Sequence, residues 1–146
     1  MATWFECRIR YEKVMENRMN KKVTEPYLVD ALSFTEAEAR IIEEMTPYIT
    51  GEFTVVNITP AKYSELFASE DPSDDRWYKC KLVYITLDEK SGAERRQAVT
   101  VLVQASDVDT AKKNLDEGMK GTMAEYLVES VAETKIMDVF VYGISE

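Results

Sequence analysis

The sequence contains no histidine and only two cysteines among its 146 residues, and these shortages exclude several kinds of chemistry. A usual zinc site takes four Cys or His ligands, so this chain cannot build one by itself. Without histidine there is no Ser-His-Asp or Cys-His arrangement, and catalysis would depend on lysine, tyrosine or carboxylates alone. The five glycines form no glycine-rich phosphate loop. We therefore expect no enzymatic activity, no metal and no cofactor.

Long apolar runs are also missing. The stretch VTVLV at 99–103 is far too short to cross a bilayer, and the first residues lack the basic and apolar segments of a signal peptide. We expect a cytoplasmic protein with no membrane partner. The net charge of −9 opposes binding of the chain as a whole to a polyanion, although a local basic face remains compatible with such binding.

One eight-residue pattern occurs twice, as WFECRIRY at 4–11 and WYKCKLVY at 77–84, and together the two copies use every tryptophan and cysteine of the chain. Offsets of 73 or 74 residues bring twelve identical pairs together along the sequence. We interpret this as an internal duplication.

Each copy contains the same predicted elements. The repeated pattern alternates with the period of a half-buried strand, and a second strand follows after a polar turn. Apolar residues then recur at helical spacing in both copies: Phe34, Ala37, Ile41 and Met45, and Val108, Ala111, Leu115 and Met119. Ser33 and Asp107 are suitable N-caps for these helices. Two further β-rich stretches complete each copy, so the predicted order is ββαββ, twice.

The predicted fold class is α+β: a tandem duplication of a ββαββ unit, with antiparallel sheets each covered by one helix and related by pseudo-twofold symmetry. The first repeat spans 1–67, a solvated acidic linker spans 68–76 and the second repeat spans 77–146. Copies of about 70 residues are marginal as independent domains, so we expect the two to pack as one compact unit.

The two sides of the repeated strand predict two different roles. Cys7 and Cys80 share the side that the helix should cover, so we expect them to act as small core residues. The other side carries tryptophan among basic residues, and further basic residues begin each second strand. The candidate nucleic-acid-binding residues are Trp4, Arg8, Arg10, Lys22, Trp77, Lys79, Lys81, Arg95 and Arg96.

Aromatic side chains among Arg and Lys on a sheet are the arrangement that stacks unpaired bases while following a phosphate backbone. Much of the negative charge lies instead on the helices and the linker, which indicates that charge is segregated by face. The alternative is that the tryptophans pack the two copies together and that the basic residues pair with acidic neighbours.

Four stretches resemble a known family: YLVDALSFTEAEAR at 27–40, WFECRIRYEK at 4–13, ITLDEKSGAE at 85–94 and LVQASD at 102–107. The family is an uncharacterised domain of unknown function found in small proteins of gut Bacteroidetes, and the likeness covers nearly the whole chain. The resemblance implies a bacterial cytoplasmic protein, with mobile-element or phage association as a further implication. It implies no activity and no site residues.

The leading functional hypothesis is a non-catalytic protein that binds single-stranded nucleic acid on the Trp/Arg/Lys sheet face. A second hypothesis is a protein-interaction or scaffold module that uses the same surface for a protein partner or for self-association. A third is an acidic decoy whose helix faces imitate nucleic acid.

Overall fold

A computed structural model describes residues 3–122 and 125–143 of the chain. The predicted order ββαββ occurs twice along it. The elements are β1 (Thr3–Val14), β2 (Asn20–Ala31), α1 (Phe34–Met45), β3 (Phe53–Ala61), β4 (Glu65–Phe67), β5 (Arg76–Leu87), β6 (Glu94–Ala105), α2 (Val108–Gly118), β7 (Glu125–Glu133) and β8 (Val139–Phe140). The α+β fold class is therefore confirmed. No helix within these ranges is long and apolar enough to span a membrane.

The chain forms two similar compact units. Unit 1 contains the residues up to Lys62 together with those from Lys135 onward, and unit 2 is the continuous stretch Tyr63–Thr134. The sheet of unit 1 has the strand order β3-β1-β2-β8, and that of unit 2 has the order β7-β5-β6-β4. The boundaries of these units differ from those of the sequence repeats, because the two repeats exchange their last strands. The last strand of the first repeat, β4, joins the sheet of β5, β6 and β7, and the last strand of the second repeat, β8, joins the sheet of β1, β2 and β3.

The exchanged strands lie parallel to their neighbours, which corrects the expectation of purely antiparallel sheets. In unit 1, β8 pairs with β2 and places Phe140 opposite Val29. In unit 2, β4 pairs with β6 and places Phe67 opposite Val103, the equivalent position in the repeat. Every other pairing in the two sheets is antiparallel. Residue alternation predicts which side chains share a face, but it gives no direction to a strand that no tight turn joins to its neighbour.

One helix covers one face of each sheet, as predicted. In unit 1, Ala37 and Ile41 of α1 are fully buried against the strand side that carries Cys7. In unit 2, Leu115 of α2 is fully buried in the cluster that contains Cys80. A fully buried isoleucine or leucine side chain, such as Ile41 or Leu115, stabilises the fold by about 1.5–3 kcal/mol. The core role of the two cysteines is therefore confirmed.

The helix starts follow the predicted capping residues. The side chain of Ser33 accepts a hydrogen bond from the Glu36 N–H, and that of Asp107 accepts one from the Thr110 N–H. The Thr110 N–H also holds the pKa of the Asp107 carboxyl below its usual range. A cap of this kind stabilises a helix by about 1 kcal/mol, so local sequence fixes where each helix begins.

The first apolar residue of each predicted helical stripe lies largely outside the core. Phe34 is 51% exposed and Val108 is 52% exposed. The Phe34 ring still contacts the edge of Phe5, with 5.0 Å between ring centroids. The first turn of each helix therefore contributes less to the core than the spacing predicted.

The acidic segment 68–76 is not wholly solvated, which corrects the prediction for this linker. Asp74 is only 6% exposed. Its carboxylate accepts hydrogen bonds from the Ser69 hydroxyl and from the Asn114 side-chain amide. The segment is thereby fixed to α2 of unit 2, because a buried carboxylate needs hydrogen-bond donors to replace water.

Candidate binding surface

Each sheet has a face that its helix does not cover, which we call the helix-free face. On β1, Trp4, Arg8 and Arg10 alternate with the core residues and so point to the helix-free face of unit 1. Lys22 lies opposite Glu12 in the antiparallel register. Because directly opposed residues share a face, Lys22 joins the same surface.

Unit 2 presents most of the corresponding residues in the same way. Trp77, Lys79 and Lys81 alternate with core residues along β5 and lie on its helix-free face. Arg96 lies opposite Ile85 and shares that face, whereas Arg95 lies opposite Thr86 and points to the side of the sheet that carries α2. The candidate residues of unit 2 therefore do not all lie on one surface, since adjacent strand residues must point to opposite sides.

The tryptophan end of each helix-free face is closed. Trp77 is 4% exposed, and Leu102, which lies opposite Lys79, is fully buried. In unit 1, Trp4 is partly buried and Leu28, which lies opposite Glu6, is fully buried. Trp77 cannot offer its ring to a base in this structure. In unit 1 the open surface lies toward the hairpin end of the strands, at Arg10 and Lys22.

Three of the candidate arginines already have carboxylate partners. Arg8 contacts Glu6 at 3.4 Å. Arg95 contacts Asp88 at 3.0 Å, and Arg96 contacts Glu94 at 3.3 Å. Exposed pairs of this kind contribute only about 0–1 kcal/mol, so they hold the arginines weakly. Trp77 and these arginines thus agree with the alternative in which aromatic residues are buried and basic residues pair with acidic neighbours.

Four candidate cations remain exposed and unpaired within the described parts of the chain: Arg10, Lys22, Lys79 and Lys81. Arg10 and Lys22 line an open depression of about 470 Å³ on unit 1, together with Thr50, Gly51 and Thr54. Glu12 and Glu52 lie at the same depression, so its charge is mixed.

Charge segregation by face is only partial. The helix side of unit 2 carries Lys112 and Lys113 on the surface of α2, next to the acidic residues that the sequence analysis emphasised. These two lysines form no ion pair with any residue that the structure describes. Neither a uniform sign of charge nor the presence of unpaired cations therefore distinguishes the helix-free faces from the helix side of unit 2.

Sequence reasoning did not find a network that fixes the segment just after β8, at Tyr142, to the rest of unit 1. The backbone N–H of Tyr142 donates to Asp30 Oδ1 at 2.7 Å, and Arg40 Nη1 donates to the Asp30 carbonyl at 2.6 Å. The Arg40 guanidinium also lies 4.3 Å from the centre of the Tyr142 ring, whose hydroxyl donates to Glu44. Burial and the Glu44 carboxylate raise the pKa of Tyr142 to about 12. We call this network the unit 1 latch.

Unit 2 has a latch of the same geometry with different side chains. The backbone N–H of Ser69 donates to Gln104 Oε1 at 2.9 Å, and Asn114 Nδ2 donates to the Gln104 carbonyl at 2.9 Å. In both units, the latched residue lies two places after the exchanged strand: Tyr142 after β8 and Ser69 after β4. The residues that accept its N–H, Asp30 and Gln104, are equivalent in the two repeats because they are 74 residues apart. The repeat offset relates these positions in the sequence, so it could have predicted equivalent latches. The duplication was recognised from identical residues, however, and the latch residues differ between the two copies.

The site offers no activated nucleophile. Burial raises the pKa of Cys7 to about 12 and that of Cys80 to about 11, so neither thiol ionises near neutral pH. Across 3–122 and 125–143, no three Cys, Asp or Glu side chains come together as metal ligands.

The fold and its surface define an α+β protein of two similar units, each a four-stranded sheet with one helix on one face. Residues 3–142 match the family described as a domain of unknown function, DUF4494, and the chain belongs to that family. Membership of an uncharacterised family is thus confirmed, whereas an origin in Bacteroidetes stays a prediction. No curated protein and no solved structure matches the chain.

Proposed function

We propose that this protein is a non-catalytic cytoplasmic protein that binds single-stranded nucleic acid through exposed cations on its helix-free faces. The observation that supports the proposal is the set of four exposed, unpaired cations: Arg10 and Lys22 on unit 1, and Lys79 and Lys81 on unit 2. A phosphate that approaches one of these side chains displaces only water and counterions. At Arg8 it would first have to displace the Glu6 carboxylate.

The number of free cations sets the expected dependence on salt. Each phosphate contact on a single strand contributes about −0.7 to the slope of log affinity against log salt. Four contacts therefore give a slope of about −3. Base stacking would add little from Trp77, which is buried, so Trp4 is the ring whose fluorescence should respond.

The test is a titration of labelled single-stranded DNA, single-stranded RNA and duplex DNA at low and at higher salt. The full chain is compared with two variants, Arg10→Ala/Lys22→Ala and Lys79→Ala/Lys81→Ala. The matched control is Lys112→Ala/Lys113→Ala, which removes two exposed lysines from the helix side of unit 2. We expect the first two variants to bind single strands more weakly, each with a smaller salt slope, and the control to bind like the unaltered protein.

Two results would contradict the proposal. One is the absence of binding to any strand at low salt. The other is an equal loss of affinity in the control, which would show a general dependence on net charge in place of a surface.

A protein-interaction module is the second candidate function, and exposed apolar residues around α1 favour it. Phe34 is 51% exposed, Ile42 is 42% exposed, and Tyr48, just after the helix, is 76% exposed. These three side chains are close in sequence, and contiguous exposed apolar patches are typical of sites that meet another protein. Sedimentation velocity of the pure protein tests self-association, and a Tyr48→Ser variant should weaken any dimer that is observed. A single monomeric species over the whole concentration range would exclude self-association.

A further inference from the structure

The β1–β2 hairpin extends into a tip, residues 12–22, in which every side chain is exposed. We propose that this hairpin tip is an arm that grips single-stranded nucleic acid, with its cations on phosphates and its methionines against bases. This inference rests on the proposed function and adds the residues of the hairpin tip to the four cations named there, of which Lys22 belongs to both sets.

The charge of the hairpin tip is opposite to that of the chain. It holds four basic residues and two acidic ones, within a protein of net charge −9: Lys13, Arg18, Lys21 and Lys22 against Glu12 and Glu16. Lys13 contacts Glu25 at 3.8 Å. The other three cations form no ion pair with the residues that the structure describes, so they are available to a polyanion.

Apolar side chains stand beside these cations. Val14 is 69% exposed, Met19 is 67% exposed and Met15 is 38% exposed. None of them belongs to the core of unit 1. Methionine is flexible and polarizable and makes favourable contacts with aromatic rings, and a nucleobase offers such a ring at every position. Exposed apolar groups next to unpaired cations therefore suit a ligand that is both aromatic and anionic.

The turn of the hairpin tip contains a backbone conformation that favours glycine but holds an arginine. Arg18 has φ of 65°. Its N–H donates to the Met15 carbonyl at 2.9 Å, and the Met15 N–H donates to the Met19 carbonyl at 2.9 Å, so the turn is well ordered around it. A non-glycine residue in this conformation costs folding free energy. The sequence keeps a cation at the end of the arm where a glycine would suit the backbone better.

The equivalent tip of unit 2, residues 85–95, shows that these features are not needed to close such a hairpin. It has three acidic and two basic residues, and a glycine takes the positive φ, 70° at Gly92. The Gly92 N–H donates to the Asp88 carbonyl at 2.7 Å, and the Asp88 carboxylate pairs with Arg95. In that hairpin an acidic residue caps the turn and pairs with a cation, whereas three of the four cations of the first hairpin tip form no ion pair with the residues that the structure describes.

A lipid surface is a poorer fit to the same chemistry. The outermost residues of the turn are Glu16, Asn17 and Arg18, and the apolar residues lie behind them. Insertion into a bilayer would take these polar groups into the apolar layer first, which is unfavourable. A single strand of nucleic acid can instead lie along the ribbon and contact polar and apolar side chains together.

The test uses the full chain with two changes in the hairpin tip, Arg18→Gly and Met15→Gln/Met19→Gln. Arg18→Gly relieves the backbone conformation, so its melting temperature should equal or exceed that of the unaltered protein. Its affinity for an unstructured poly-dT oligonucleotide should nevertheless fall by roughly three- to tenfold. Met15→Gln/Met19→Gln keeps the charge and should weaken binding with the salt slope unchanged. The matched control, Leu87→Gln/Lys90→Ala, alters the tip of unit 2 and should bind normally.

The possible outcomes separate this inference from the proposed function. If Lys79→Ala/Lys81→Ala weakens binding and both hairpin-tip variants bind normally, the arm is wrong and the proposed function stands. If the unaltered protein binds no strand, the proposed function is wrong and the arm with it. Binding to phosphatidylcholine vesicles with about 25% phosphatidylserine, lost in the hairpin-tip variants and without any binding to oligonucleotide, would assign the hairpin tip to a membrane surface instead.

Discussion

Gly118, the last residue of α2, lies directly against the ring of Phe67 in unit 2. A Cβ atom built at this position would stand 2.7 Å from two atoms of that ring, closer than real Cβ contacts allow. Glycine normally costs a helix about 1 kcal/mol relative to alanine. Here the missing side chain lets the short exchanged strand β4 come close to the helix.

We expect Gly118→Ala to destabilise unit 2 by about 1–3 kcal/mol, because overpacking exceeds the gain in helix propensity. Urea unfolding monitored by circular dichroism measures the change. In a Phe67→Leu background the same substitution should cost much less, since the smaller side chain can move aside. A Gly118→Ala variant more stable than the unaltered protein would contradict this account of the contact.

The buried thiols predict how stability changes at alkaline pH. Their pKa values rise from an ordinary 9.0 to about 12 for Cys7 and about 11 for Cys80, mainly through burial. The folded chain therefore keeps two protons that the unfolded chain loses above pH 9. The stabilisation is complete below that pH and is lost as pH rises toward 11–12.

For the two thiols together, the free energy of unfolding should fall by about 2 kcal/mol between pH 9 and 10. Urea midpoints at these two values measure the fall. A Cys7→Ala/Cys80→Ala variant is the control and should show a shallower dependence from a lower starting stability. Its remaining fall comes from tyrosines such as Tyr11 and Tyr142, whose pKa values are also raised to about 12, mainly by burial. An equal fall in this variant would assign the effect to other groups.

At the scale of elements, the two latches hold equivalent segments with different chemistry. Asp30 supplies a carboxylate oxygen where Gln104 supplies an amide oxygen, and each accepts a backbone N–H two residues after an exchanged strand. Both latches have an acceptor oxygen, but only the Asp30 side chain is charged. The hydrogen bond from the backbone N–H therefore requires an oxygen acceptor and does not require a negative charge.

We expect Asp30→Asn to be tolerated, because the amide oxygen can still accept from Tyr142. Asp30→Ala should cost about 1 kcal/mol, since it removes the acceptor of the Tyr142 N–H. Hydrogen exchange of the Leu28 amide, which donates to the Asp138 carbonyl, should report the loosening of β8. Gln104→Ala is the matched change and should loosen unit 2 while leaving exchange at Leu28 unchanged. Equal losses in Asp30→Asn and Asp30→Ala would show that the charge matters after all.

Local features of this fold could be predicted from the sequence, and distant pairings could not. Ser33 and Asp107 act on N–H groups three residues away, so the sequence around them determines the cap. The pairing of Val29 with Phe140 joins residues far apart in the chain, and several edges compete for such a short strand. Alternation likewise assigned Arg10 to the correct face, but it could not tell that Trp77 is covered, because burial depends on the final packing.

At the scale of the whole molecule, the two exchanged strands join the halves of the sequence. A cut between Glu70 and Asp71, in an exposed part of the loop after β4, divides the chain into one fragment that carries β4 and another that carries β8. The first fragment still completes the sheet of unit 2, and the second still completes the sheet of unit 1. The cut chain should therefore stay together.

A protease site inserted between Glu70 and Asp71 provides the measurement. After cleavage the two fragments should elute from a sizing column as one species in native buffer and separate in urea. Phe140→Ala removes the ring that stacks on Tyr27 and should promote their separation. Fragments that elute apart under native conditions, each with its secondary structure intact, would contradict the exchange of strands.

The exchange also sets an order of assembly during protein synthesis. Unit 2 is one continuous stretch, Tyr63–Thr134, so all of its strands are present once that stretch has left the ribosome. Unit 1 begins to emerge first, but its β2 edge stays unpaired until β8 follows, roughly 4–15 s after Lys62 is added. An unpaired edge invites pairing with other chains, so newly made copies are most exposed to aggregation in that interval. The sheet that is started first is finished last.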